Sequence, residues 1–306
     1  MKIVKTSAYF LASLLVLSSS QAFSHSRYIV PSHTSLSGDQ PSVVSIDMSI
    51  SEDIFHADIA FGGKALDNPI PAVEKADNEL SADDQRRLIQ RRNRFANTTL
   101  SVTAPDGSID TNSPIYNVGR KAVSGFSLTQ SGTYRVSVGG EPMIFTRFKK
   151  PNGKRGRVFA GKSDLQIPSG STELKSTKMI SRNETFVTRN AISTGALTPF
   201  GVGLELDSSV SSHPNDAFVG DAFTVSFLLN GKPLSEPTKV TFTKGQSRYR
   251  NQRNAIKLMT DDNGAVQLNW SEPGMYFLEV SVSTESKEAA FDEIRYSYTA
   301  SFEVFP

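Results

Sequence analysis

The sequence predicts an all-β protein made of two tandem immunoglobulin-like β-sandwich domains, with a helical insertion in the first. Three observations carry this expectation. Short alternating apolar runs recur along the chain, turn signals separate them, and one corner plan of glycine and tyrosine occurs twice about a domain apart.

Residues 1–24 begin with Lys2 and Lys5, run through an apolar stretch from Ala8 to Leu17, and end in small and polar residues, Ser18 to Ala22. That three-part layout is a secretory signal peptide, and its apolar run is too short to span a bilayer. Cuts after Ala22 and after Ser24 both satisfy the preference for small residues at the cleavage site. Export to a periplasm is therefore expected. No later stretch reaches transmembrane length, so the mature chain is expected to have no membrane span.

Beyond the signal the texture is β. SVVSIDMSI (42–50) alternates Val44, Ile46, Met48 and Ile50, the period of a strand with one buried face. TTLSVTAP (98–105), YRVSVGG (134–140), DAFTVSFLLN (221–230), TKVTFTK (238–244), AVQLNW (265–270), MYFLEVSV (275–282) and YSYTASFEVF (296–305) follow, with turns at PDGS (105–108), NGK (230–232) and DDNG (261–264). The repeated corner lies in SLTQSGTYRVSV (127–138) and QLNWSEPGMYFLEV (267–280). In each, Gly132 or Gly274 turns the chain and Tyr134 or Tyr276 opens an alternating strand, as at the tyrosine corner of immunoglobulin-like domains. The expected domains are 25–197 and 198–306, joined near TGALTPFG (194–201).

Residues 64–97 break the pattern. SADDQRRLIQRRNRF (81–95) has Ser81 as N-cap, Asp83 and Asp84 in its first turn, and arginines toward its end, which predicts a helical insertion. RFKKPNGKRGR (147–157) is strongly basic around Pro151, Asn152 and Gly153. It reads either as an anion or membrane-surface patch or as a solvated hairpin tip, and the lack of an accompanying amphipathic stripe favours the tip.

Composition narrows the function. Removing residues 1–24, which carry Lys2 and Lys5 and no acid, takes 33 basic against 31 acidic residues to 31 against 31. A neutral mature chain argues against a nucleic-acid partner. With no cysteine, the exported protein holds itself together by core burial alone. Cysteine nucleophile, GxSxG elbow and phosphate loop are all missing, which points to a non-enzymatic protein.

Four histidines remain: His25, His33, His56 and His213. Isolated histidines are commonly surface or structural residues, yet His25 stands beside the signal cut. Cleavage after Ala22 makes it the third residue, where imidazole, amine and two backbone amides form a square of nitrogens suited to Cu(II) or Ni(II). Cleavage after Ser24 makes it the first residue, a chelate that His33 or His56 completes as a brace. His213 falls in the second domain and is expected to be unimportant for metal.

The stretch HSRYIVPSHTSLSGDQPSVVSIDMSISEDIFHAD (25–58) resembles the mature start of a family of exported bacterial proteins that begin with histidine, then an aromatic, an aliphatic and a proline. Here these are His25, Tyr28, Ile29 and Pro31. TAPDGS (103–108), ETFVT (184–188), GLEL (203–206), HPND (213–216), FLLNGKP (227–233), GQSRYR (245–250), TDDNGAVQLNW (260–270) and EPGMYFLEV (272–280) extend the resemblance in order. The family is a domain of unknown function, labelled a periplasmic component of nickel or cobalt uptake and similar to NikM-type extracytoplasmic subunits. The resemblance implies binding of Ni(II) or Co(II) by His25, and with the Cu(II) that the nitrogen square suits, the expected cargo is Ni(II), Co(II) or Cu(II), with an envelope transporter or receptor as partner. The competing expectation is an envelope interaction or adhesion module without metal.

Overall fold

The computed structural model describes residues 25–65, 95, 97–245 and 254–306. In chain order the first strands are β1 (Ser26–Pro31), β2 (Ser35–Leu36), β3 (Ser42–Ser51), β4 (Ile59–Ala60), β5 (Lys64–Ala65), β6 (Thr99–Thr103), β7 (Ile109–Asp110), β8 (Tyr116–Val118), β9 (Lys121–Leu128) and β10 (Gly132–Gly139). Next come β11 (Met143–Lys149), β12 (Arg155–Val158), β13 (Thr172–Arg189), β14 (Leu204–Leu206), β15 (Ala222–Leu229) and β16 (Lys232–Pro233). The chain ends with β17 (Lys239–Lys244), β18 (Ile256–Met259), β19 (Ala265–Asn269), β20 (Gly274–Glu285) and β21 (Glu293–Val304). Among the described residues the helical turns are two short 3-10 turns, Lys162–Asp164 and Gly195–Leu197. The expected helical insertion lies almost wholly outside the described residues.

The protein is all-β, and its sheets stack without closing into a barrel. A first sheet runs β1-β3-β9-β8-β5, with β4 on β3. A long central sheet runs β18-β17-β20-β21-β13-β10-β6-β7, with β11 and β2 attached at β13 and β12 on β11. A small sheet of β14, β15, β16 and β19 completes the fold.

The expectation of two sandwiches in tandem gives each half its own pair of sheets. Strands of both halves instead lie in the one central sheet, joined where β13 pairs in parallel with β21 from Thr177↔Glu293 to Thr185↔Ser301. Two cores form, on opposite faces of that sheet. Val187 belongs to the core with Ile29, Ile46, Met48, Leu128 and Tyr134, under the first sheet. Its neighbour Phe186 belongs to the core with Phe227, Phe242, Trp270, Tyr276 and Tyr298, under the small sheet. Successive side chains on a strand point to opposite faces, so one strand serves both cores. At the expected junction Ala196 and Leu197 are buried, the latter within the second core.

Both corner tyrosines are buried and reach the backbone four residues upstream. The Tyr276 hydroxyl donates to the Glu272 carbonyl at 2.9 Å, and the Gln130 N–H donates to the Tyr134 hydroxyl at 2.6 Å. The two glycines share one left-handed backbone, φ 131° at Gly132 and 132° at Gly274. Their surroundings differ. A Cβ on Gly132 meets Pro105 Cβ and Ser193 Oγ at 2.6 Å, whereas one on Gly274 meets only the flexible end of Lys244 at 3.2 Å.

Urea denaturation is therefore expected to rank the corner variants. Gly132→Ala should cost about 2–3 kcal/mol, from strained φ and a clash that the neighbouring proline cannot relieve, and Gly274→Ala about 1 kcal/mol. Tyr276→Ala should cost about 3 kcal/mol or more, as truncation of a core aromatic does. Equal costs for the two glycine variants would show that the crowding at Gly132 is not felt.

Candidate functional site

β1 is the edge strand of the first sheet, and its start is fastened to the central sheet. Ser26 Oγ donates to Glu279 Oε1 at 2.7 Å, and Thr299 Oγ1 donates to the Arg27 carbonyl at 3.3 Å. The antiparallel register Ser26↔Ser51 then sets His25 beside Glu52, with Nδ1 3.5 Å from Oε1 and the imidazole about half exposed (48%).

The turn after β3 is pinned at Phe55, which adopts φ 67° and meets Tyr28 edge-on at 5.4 Å. Within it His56 Nε2 lies 3.7 Å from Asp53 Oδ2, and Ser51 Oγ donates to Asp58 Oδ2 at 2.7 Å. Burial pushes the Tyr28 phenol up to about 12, and Asp47, Asp58 and Asp53 push in the same direction against the hydrogen bond to Ser49.

His25 and His56 share one end of the β1–β3 pair. His33 does not. It lies past Pro31, with the whole of β1 between it and His25, about 20 Å at roughly 3.3 Å per residue. Ligands of one ion lie within about 4 Å of each other, so the brace of His25 with His33 is not formed in this fold. His33 instead faces its neighbour, Nδ1 3.3 Å from Ser32 Oγ. Among the described residues no three His, Asp or Glu side chains converge to hold a metal ion. An ion at His25 must draw on other donors.

Such donors stand nearby. Where β1 begins, a cleft of about 500 Å³ opens against the central sheet, lined among the described residues by His25, Met143 and Met179 with others. Met143 and Met179 are cross-strand partners on β11 and β13, and Arg27 Nη2 lies 3.6 Å from the Met143 sulfur. The cleft also holds Arg147, Arg157 and Arg295, with the rings of Phe145 and Phe159. Arg147 is held below the usual guanidinium range by desolvation first, and then by Arg295 and Arg157.

Sequence reasoning missed both methionines, Arg27 and Arg295, which carry no local signal. Arg147 and Arg157 were visible within the basic run 147–157. The β11–β12 hairpin does turn at Pro151–Gly153, but both arginines lie back along its strands and line the cleft.

His213 is half-buried where the two halves meet. Its Nδ1 accepts the Asn215 N–H at 3.1 Å, so the proton sits on Nε2, which lies 3.1 Å from the Ser193 carbonyl and 3.0 Å from Thr133 Oγ1. Asn215 Nδ2 donates to the Thr34 carbonyl at 2.8 Å. The HPND segment therefore ties the second half to the first.

These features define an all-β protein with an open cleft between stacked sheets. The family described as a domain of unknown function, DUF4198, matches residues 22–284, and the chain belongs to it. No curated protein matches the chain. Elastase-activated alpha-2-macroglobulin of Escherichia coli is 11% identical, covering 92% of this chain and 20% of that one at a TM-score of 0.22. The Yersinia pseudotuberculosis adhesin InvE is 10% identical, covering 90% and 60% at 0.20. A DUF3823 family protein of Bacteroides uniformis is 11% identical, covering 69% and 90% at 0.21. The chain thus spans less than two thirds of the first two, and likenesses at these scores carry no argument. Among the described residues no helix is long and apolar enough to cross a membrane.

Burial lowers the His213 pKa below the usual 6.5, outweighing the Ser193 carbonyl and Asp216. The folded state therefore takes up this proton less readily than the unfolded chain. Its contribution is complete above 6.5 and is lost as pH falls from there toward the lower folded value. The urea midpoint should drop as pH falls below 6.5, above the carboxylate range, and His213→Gln should flatten that slope. A slope unchanged in the variant would place its origin elsewhere.

Proposed function

We propose that the protein is a non-enzymatic transition-metal-binding protein of the cell envelope, exported by residues 1–24 and assisting metal uptake or handling beside a separate membrane partner. One observation supports this above others: His25 sits at the start of β1, fixed by register next to Glu52 and opening onto a cleft that contains Met143 and Met179. Signal cleavage next to His25 adds a backbone amine to that donor set. Amine, imidazole and the Glu52 carboxylate suit Ni(II), Co(II) or Cu(II), and the thioethers suit copper in its reduced form. The resemblance of residues 25–58 to NikM-type subunits supports the same residue. His56 serves as a neighbouring donor, since it shares the end of the β1–β3 pair. In this reading each half is an immunoglobulin-like sandwich built on the shared central sheet, and the metal is cargo rather than a cofactor.

Isothermal titration with Cu(II) and Ni(II) tests the proposal on protein whose first residue is Phe23 or His25. One ion should bind tightly. His25→Ala, or extra residues ahead of Phe23, should weaken binding by at least about tenfold, because each removes a nitrogen donor. His33→Ala should leave affinity unchanged. Equal affinity in the processed and extended proteins would remove the N-terminal site and favour an envelope interaction module without metal.

A further inference from the structure

We infer that the cleft is a binding site for a small organic polycarboxylate, held by the guanidiniums of Arg147, Arg157 and Arg295 against the ring of Phe159. This goes beyond the metal reading and does not depend on it.

Register places like charges side by side. Arg147 and Arg157 are direct cross-strand partners in the β11–β12 hairpin, and on its other side Arg147 faces Lys175 of β13. Like charges placed directly opposite on neighbouring strands destabilise a sheet. One strand further on, Arg295 of β21 is the partner of Met179. Odd-numbered positions share a face, so the three guanidiniums gather over one patch of the central sheet.

The carboxylates at the cleft are already engaged: Glu279, on its wall, accepts from Ser26 Oγ at 2.7 Å. Glu293 accepts from Lys175 Nζ at 2.5 Å and from Thr177 Oγ1 at 2.9 Å, with Arg295 Nη2 at 3.6 Å. Among the described residues neither Arg147 nor Arg157 forms an ion pair with a carboxylate. Self-repulsion of this kind persists where an anion relieves it.

The surroundings describe the anion. The Arg147 guanidinium lies over Phe145 at 5.0 Å and Arg157 over Phe159 at 5.1 Å, which holds each plane while its N–H edges remain available. A guanidinium fork matches a carboxylate in two parallel hydrogen bonds. Phe159 is 37% exposed, and the two methionines add apolar wall. A bare inorganic ion would leave those surfaces wet; an organic body covers them. The volume, about 500 Å³, lies in the usual range for a small-molecule site.

The test uses trimesate, a benzene ring bearing three carboxylates, on metal-stripped protein with no metal added. Titration should show saturable one-site binding that weakens as salt is raised. Arg147→Gln with Arg157→Gln should weaken it by at least about tenfold, since two charge-assisted contacts are lost. In a separate titration the Arg147→Gln, Arg157→Gln protein should keep the Cu(II) affinity of the native protein, which separates this outcome from failure of the metal site. Sulfate should bind more weakly than trimesate. A thermal-melt comparison guards against simple misfolding: without ligand, Arg157→Gln should melt higher than the native protein, because a like-charge pair is relieved, and trimesate should raise its midpoint less than that of the native protein. No saturable binding, equal binding by the double variant, or sulfate binding as tightly as trimesate would overturn the inference.

Discussion

The last third of β13, from Asn183 to Arg189, is buried on both faces, and the two cores hang from it. A strand buried on both faces usually reads as a continuous apolar run. This one reads NETFVTR, with five polar residues among its seven. Each makes specific bonds. Asn183 Nδ2 donates to the Val138 carbonyl at 3.0 Å, and Thr185 Oγ1 donates to the Ser301 carbonyl at 2.8 Å. Arg189 Nη2 donates to the Gly38 carbonyl at 2.8 Å, and Asn215 Nδ2 donates to Thr188 Oγ1 at 2.9 Å. Glu184 accepts from Ser137 Oγ and from the Tyr298 hydroxyl, both at 2.9 Å. Burial first, and then the Glu184 carboxylate, pushes the Tyr298 phenol up, so it stays protonated and remains a donor.

This polar seam explains how an apolar core is divided without being split. Removing a partner from a buried polar group leaves the desolvation cost unrelieved, so the pairing register of β13 with β10 and β21 is held by penalty as much as by attraction. Arg182 extends the seam outward, 3.7 Å from Glu184 and 3.5 Å from Glu205, while the N–H groups of Phe200 and Gly201 both donate to Glu205 at 2.7 Å. The segment leading out of the expected junction is thereby clamped to the central sheet rather than left as a linker.

The same strand supports the cleft. Its first two thirds emerge from under the first sheet, and Met179 and Ser181 form part of the floor of the cleft. His25 thus stands at a boundary of charge. Glu52, Asp53 and Asp58 lie on the turn behind it, and arginines lie across the cleft in front. A cation approaching from the turn and an anion held in the cleft can both come near one imidazole, which gives the metal and polycarboxylate readings a common place without making either the premise of the other.

What the sequence determined by itself was local. Val44, Ile46, Met48 and Ile50 announce β3 because alternation is a property of neighbouring residues, and the turn signals at 105–108, 230–232 and 261–264 act over a few residues in the same way. The paired glycine and tyrosine positions could be picked out as an echo for the same reason. The longest strand, β13, offered no such pattern, since its polar residues are satisfied by Val138, Ser301 and Tyr298, which only the folded chain brings near. Tertiary structure alone decided that Thr177 lies beside Glu293, that His25 and His33 sit at opposite ends of one strand, and that Arg147, Arg157 and Arg295 share a face. Each of these depends on strand register between distant segments, and register is set by which faces become buried together, a condition that no short stretch of sequence contains.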